Sequence, residues 1–216
     1  MKKFQRPATL PMMALTAFLL LSFHVAPPDQ PAYKVTRIGE HYWMTDNLDI
    51  TKYRNGDAIP QVTDPEKWKN LKTGAWCWYN NDSKNGKKYG RLYNWYAVND
   101  PRGLAPSGWH VATEEEWEEL LDNLGGEDRA GEHLKESGSW KYGGVKASNI
   151  SGFTACPGGG RYNNRYLSMN DNANFWSTVD SNATIAWSRS LSKGGDAVYR
   201  SYYGKHWGFS VRCVKD

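Results

Sequence analysis

The stretch "TEEEWEELLDNLGG", Thr113 to Gly126, most narrows what this chain can fold into. Thr113 and Glu116 have the spacing of a capping box, in which the hydroxyl accepts from an orphan amide of the first helical turn while the glutamate reaches back to the cap. Glu114, Glu115 and Glu116 also suit the positive end of a helix. Trp117, Leu120, Leu121 and Leu124 then fall at i, i+3, i+4 and i+7, drawing one apolar stripe, and Gly125-Gly126 stops the helix. The remaining glutamates, Glu118 and Glu119 with the first-turn acids, read as helix start and solvated face. A second, shorter helix is expected over 130–136 and a brief one over 65–71.

The rest of the chain alternates with a period of two. Between Tyr33 and Ile50, apolar Val35, Ile38, Tyr42 and Met44 flank Gly39-Glu40, which predicts a hairpin. Strand-like runs recur over 175–178, 184–191, 197–202 and 209–214. "GAWCWYNND" and "YGRLYNWYAV" read as strands or extended core segments around an Asn/Asp/Lys/Gly turn, and "CPGGGR" as a tight structural turn. Asn170-Asp171-Asn172 and Asn80-Asn81-Asp82 carry oxygen ligands but describe turns. Strands, two helices and a β-rich C-terminal half make an α+β domain.

With 216 residues, 39% of them hydrophobic, the chain has room for one substantial core. Eleven tryptophans, 13 tyrosines and 21 glycines imply a loop-rich fold whose aromatic rings wedge between irregular segments or face a ligand. The net charge of +4 is spread along the chain, and Lys and Arg concentrate no further than Lys84 to Lys88, so no nucleic-acid partner is expected.

Lys2, Lys3 and Arg6 precede an apolar run from Met12 to Phe23, short for a membrane span but suited to a secretory signal peptide. The expected organisation is a signal peptide over 1–26, a proline-rich linker over 27–32 and one domain over 33–216. The product is then exported, to the cell surface, the periplasm or the medium, and meets the membrane only through the signal segment. Cys77, Cys156 and Cys213 allow at most one intramolecular disulfide, of unspecified pairing. None of them has a Cys or His at ligand spacing, so no metal or cofactor is expected.

His110, beside Trp109, is the tempting general base, but no Ser or Cys nucleophile with an oriented partner accompanies it. It reads as a core histidine bonded to backbone, and the chain as no enzyme.

"IGEHYWMTDNL", "YGRLYNWYAV", "GLAPSGWHVATEEEWEELLDNLGG", "GFTACPGGGRY", "NFWSTV" and "GFSVRCVKD" together resemble the Fibrobacter succinogenes major paralogous domain, a family of bacterial exported and surface proteins. That family is similar to the formylglycine-generating-enzyme-like branch of the C-type lectin fold. The resemblance implies two helices packed on a small twisted antiparallel sheet, with a loop-rich C-terminal half carrying the ligand surface. Many members have cysteine where this chain has Ala105, so a bridge from there to Cys213 cannot form, and Cys156 reads as a buried thiol in preference to a compensating Cys156–Cys213 bridge. Oxidase chemistry of the formylglycine type needs a close pair of thiols, and Cys213 stands alone in the C-terminal part. Calcium-dependent sugar binding needs a Glu-Pro-Asn-like or Gln-Pro-Asp-like loop and a Trp-Asn-Asp triplet, and neither occurs.

The segment "AWSRSLSKGGDAVYRSYYGKHWGFSVRCVKD" is where the resemblance puts a ligand. Alternation sets Ser188, Ser190 and Ser192 on one strand face and Trp187, Arg189 and Leu191 on the other. With Asp196, Tyr199, Ser201, Tyr202, Tyr203 and His206, those serines are the candidate ligand-binding residues, of the types that fill antibody combining sites. Each can arise from an asparagine codon by changes at adenine alone, as in targets of diversity-generating retroelements, several of which resemble C-type lectin-fold domains. Trp187, Arg189, Leu191, Val198 and Arg200 form the complementary scaffold. Three readings are weighed: an exported module binding a protein or carbohydrate at the cell exterior, a structural envelope protein whose polar hairpin only faces solvent, and, last, an enzyme of formylglycine-generating type.

Overall fold

The computed structural model describes Met1, residues 33–140 and residues 147–216, so the expected signal peptide, Met1 apart, and linker lie outside the described residues. The chain opens with β1 (Val35–Ile38) and β2 (His41–Met44), antiparallel about Gly39, whose φ of 60° suits the turn. A brief helix, α1 (Pro65–Lys69), starts where Asp64 accepts from the Lys67 amide. Next come β3 (Trp76–Cys77), α2 (Ser83–Tyr89), β4 (Leu92–Asn94) and α3 (Trp95–Val98). They are followed by β5 (Trp109–Val111), α4 (Glu114–Asn123) and α5 (Ala130–Leu134).

The C-terminal half is built of β6 (Gly158–Tyr162), β7 (Arg165–Met169), β8 (Asn172–Asp180), β9 (Ile185–Ser192), β10 (Val198–Gly204), β11 (Gly208–Phe209) and β12 (Cys213–Lys215). Two sheets result, one ordered β1-β2-β12-β5 and the other β10-β9-β8-β6-β11-β4-β3, with β7 paired to β6. Because β12 inserts between β2 and β5, the last residues lie beside the strand that carries His110.

The α+β class and the hairpin at Gly39-Glu40 stand as expected, and α4 has both halves of its capping box. Its stripe of Trp117, Leu120 and Leu121 is buried against Trp43, Phe153, Phe175, Leu191 and Val198. Trp43 and Trp117 meet at 5.1 Å between ring centroids. A second cluster gathers Trp76, Tyr93, Trp95, Trp109, Trp176 and Phe209.

Several details differ from the expectation. The sheet system is larger than the small antiparallel sheet expected, and β6 and β8 run parallel through Gly159 and Ala173. The Asn/Asp/Lys/Gly turn is in fact α2, capped by the Asp82 side chain accepting from the Lys84 amide. Gly86 sits within it because a Cβ there would fall 2.2 Å from the Trp78 indole nitrogen. "CPGGGR" is not a turn but the start of β6: its glycines admit close neighbours, and a Cβ on Gly160 would lie 2.7 Å from the Phe209 ring. The run over 209–214 splits into β11 and β12 around Arg212, whose guanidinium donates to Met44 O, Phe153 O, Thr154 O and Asn47 Oδ1. Burial pulls that guanidinium down to about 10 while leaving it charged at neutral pH.

Candidate functional site

Strand β9 lies between β8 and β10, and β10 forms one end of its sheet. The β9–β10 register pairs Val198 with Leu191, Arg200 with Arg189 and Tyr202 with Trp187 on one face. Tyr199 opposite Ser190, Ser201 opposite Ser188 and Tyr203 opposite Ala186 occupy the other. The alternation read from sequence is therefore present, but it separates the candidate residues: Tyr202 shares its face with the scaffold.

Burial separates them further. Ser188 is 0% and Ser190 8% exposed, because β8 and β10 flank them and the aromatic layer below covers their face. Ser190 donates to Asn174 Oδ1 at 2.8 Å and Ser188 to the Ser201 carbonyl at 3.2 Å, so both hydroxyls are used inside the fold. Neither reaches solvent as a ligand contact. Ser192 accepts from the Gly194 amide in the β9–β10 turn, where Asp196 lies 3.8 Å from the buried amine of Lys135. Tyr199 and Tyr202, at 54% and 58%, are the exposed large hydrophobic side chains of β10.

Beside β10 the chain builds an aromatic shelf. Tyr203 stacks on Trp207 with centroids 4.8 Å apart, and Tyr162 meets Trp207 edge-on at 4.8 Å. Phe209 closes the cluster from beneath. The Asn163 side chain holds its rim, its oxygen accepting from His206 Nε2 at 2.5 Å and Trp207 Nε1 at 3.3 Å. Burial pulls the His206 imidazole below its usual value, so it is neutral there at pH 7. A cavity of about 380 Å³ opens next to it, lined by Tyr96, Thr184, Ile185 and His206 with Lys69 and Lys72 at its edge.

The opposite face is held by charge. Arg189, fully buried, donates to Glu127 at 2.6 Å and to Glu114, and Arg200 donates to the same Glu114 oxygen at 2.8 Å. The Arg200 guanidinium also lies 3.8 Å over the Trp187 ring, and Trp187 meets Tyr202 edge-on at 5.4 Å. Glu114 is thus a buried anchor of the strand pair, which corrects its reading as part of a solvated helix face. Sequence reasoning also missed Tyr162, hidden by taking "CPGGGR" for a turn, and did not count Trp207 among the candidate residues.

His110 departs from expectation as well. It is not bonded to backbone: Nδ1 faces Asp216 Oδ1 and Nε2 faces Glu116 Oε1, each at 2.7 Å. Burial alone would lower its affinity for a proton, but the hydrogen bonds to Asp216 and Glu116 outweigh that and raise it above the usual value. The cavity it lines holds Tyr42, Glu40 and Lys215 and, among the described residues, no serine or cysteine. Cys77, Cys156 and Cys213 are all free thiols; Cys77 and Cys213 are buried and Cys156 is half-buried.

Fold and surface together define an α+β domain whose C-terminal hairpin presents tyrosines at a sheet edge beside an aromatic shelf. The chain belongs to the Fibrobacter succinogenes major domain family, whose model matches residues 36–215. No curated protein and no solved structure matches it.

Proposed function

We propose that this chain is an exported, non-catalytic recognition module, of the formylglycine-generating-enzyme-like branch of the C-type lectin fold, that takes a protein or glycan ligand on the β10 edge and the adjoining shelf. The observation that carries the reading is the exposure of Tyr199 and Tyr202 on a terminal strand backed by a rigid ladder. Tyrosine supplies broad contact at low conformational cost, and Ser201, Tyr203 and His206 add adaptable polar and aromatic contacts around it. Burial of Ser188 and Ser190 narrows any retroelement-type exchange to the surface set: Ser192, Asp196, Tyr199, Ser201, Tyr202, Tyr203 and His206.

The test is ligand capture from glycan arrays and from cell-surface protein displayed on beads, with the double substitution Tyr199→Ala/Tyr202→Ala as comparison. Loss of capture in that folded variant is the expected result, and unchanged capture would sink the reading. A near-copy of the C-terminal coding segment beside a reverse transcriptase gene, asparagine-rich at the surface set, is the expected mark of diversification; its absence leaves binding without diversification.

The second reading, a structural envelope component, is favoured by one observation: Ser188 and Ser190 spend their hydroxyls inside the sheet. Normal envelope integrity in a deletion strain would count against it.

A further inference from the structure

One end of the larger sheet is closed and the other is open. At β3 the segment around Gln61 supplies a further pairing, the Trp76 amide donating to Pro60 O and the Val62 amide to Trp76 O, each at 3.0 Å. At the opposite end β10 pairs with β9 alone. The ladder fixes where its backbone groups point. In an antiparallel pair one residue turns both its N–H and its C=O toward the partner strand, and the next turns both away. Trp176 donates its amide to Ser210 O, away from β9, so Ser188 opposite it turns toward β10 and pairs there with Ser201. Val198 gives the same phase, its amide donating outward to Glu127 O at 2.8 Å. Tyr199, Ser201 and Tyr203 therefore turn their backbone groups to β9, and Arg200 and Tyr202 turn theirs out beyond the edge. Among the described residues nothing pairs with those four groups. The open stretch is bounded by Glu127 O on the Val198 amide and by the Trp207 amide on Gly204 O.

Free edge strands ordinarily carry a guard: a proline, a bulge, or a charge set on the edge. β10 has neither proline nor lysine, and its register with β9 runs without a shift. Its one charge, Arg200, is drawn back over the Trp187 ring at 3.8 Å and onto Glu114. Tyr199 and Tyr202 lie on opposite faces of the strand and are both exposed, so they wall the edge on either side. A row of alternating amide donors and carbonyl acceptors between aromatic walls fits an extended peptide backbone, whose groups repeat at the same two-residue spacing of about 6.8 Å. Sugar hydroxyls do not repeat that alternation.

We propose that β10 captures its ligand by strand addition: the ligand is an unfolded polypeptide segment, about five residues of which pair with Arg200 and Tyr202 as one more strand of the sheet. This rests on the recognition reading above and selects protein over glycan within it. Alternate side chains of the added strand meet Tyr202 on one face and Tyr199 with Tyr203 on the other, which sets specificity. Exchange at those tyrosines alters which segment fits and leaves the main-chain pairing intact.

The folded chain is probed with an array of random unstructured peptides of about ten residues and, in parallel, with a glycan array. Capture of peptides is the expected result. Methylating the backbone nitrogens of a captured peptide one at a time should weaken binding about tenfold or more at alternate positions and about twofold or less between them. Hydrogen exchange at the Arg200 and Tyr202 amides should slow on binding. Tyr202→Pro, which unlike Tyr202→Ala also removes an outward donor, should weaken capture about tenfold beyond the alanine variant. Glycan capture without peptide capture, or methylation losses that do not alternate, overturns strand addition and leaves the recognition reading standing. Capture of neither probe overturns both. A dimer of the chain that Tyr202→Pro dissociates gives the edge to a second copy and overturns the proposal as well. Should Tyr202→Pro fail to fold, the methylated peptides and the hydrogen exchange decide.

Discussion

Arg189, on the interior side of β9, reaches Glu114 in the first turn of α4, a side chain 75 positions away in the sequence. Neither group has bulk water to replace its partner, and the same carboxylate oxygen also accepts from Arg200. Arg189→Ala is expected to cost about 3 kcal/mol in chemical denaturation, since it leaves the buried Glu114 carboxylate to the part-exposed Arg200. Replacing Arg189 and Glu114 together by methionine should recover much of that loss, because it removes both charges. A single Arg189→Ala loss below about 1 kcal/mol would show the pair to be solvated.

Tyr199 and Tyr203 share a strand face but differ in what they touch. Tyr199→Ala is expected to change stability by about 0.5 kcal/mol or less, as for an exposed side chain. Tyr203→Ala removes the ring stacked on Trp207 and lying 5.2 Å from Phe209, with an expected loss of about 2 kcal/mol. Thermal melts of the two variants give the comparison, and equal losses would contradict the placement of the shelf.

Exchange at alternate serines should not be uniform. Ser190→Tyr forces a ring between Asn174 and the aromatic layer and is expected to cost about 1–3 kcal/mol, whereas Ser192→Tyr, at the turn, should be close to neutral. Soluble yield and melting temperature of both variants check this.

The His206 imidazole has its folded-state value lowered by burial. The unfolded chain then binds the proton more readily, so stability is full above the ordinary histidine value near 6.5 and falls as pH drops through the lower folded value. The pH dependence of unfolding should flatten in that window in His206→Gln. Direct titration of the ring by NMR should give a midpoint below 6.5, and a midpoint above it would refute the assignment.

Thiol labelling reads the cysteines. Burial raises all three thiols; Cys77 and Cys213 are fully buried, while Cys156 is half-buried and borders a cavity with Lys88 and Arg212. A thiol reagent should modify Cys156 slowly in the native protein and all three after denaturation. Rapid native labelling of Cys77 or Cys213 would show that their burial is wrong.

Much of the fold was legible because it is local. The capping box at Thr113 and the Trp117-Leu120-Leu121 stripe carry their own hydrogen-bonding and apolar pattern, and the structure has the helix where those residues put it. The Gly39-Glu40 turn and the β9 alternation are equally local. Helix α2 was missed because Ser, Asn and Gly have weak helical preference, and what favours it is the close approach of Gly86 to Trp78. Strand β6 was missed because glycine carries no periodicity; packing against Phe209 and Tyr89 selects it.

What the sequence by itself determined is which residues of β9 and β10 face the same way, since that follows from the two-residue repeat of an extended chain. Only the tertiary structure decided which of those faces meets water. With β8 on one side, β10 on the other and an aromatic layer beneath, Ser188 became interior, while Tyr202 on the scaffold face stayed outside. The same holds for His110: its place between Glu116 and Asp216 depends on β12 entering between β2 and β5, a pairing across 106 positions that no local pattern encodes.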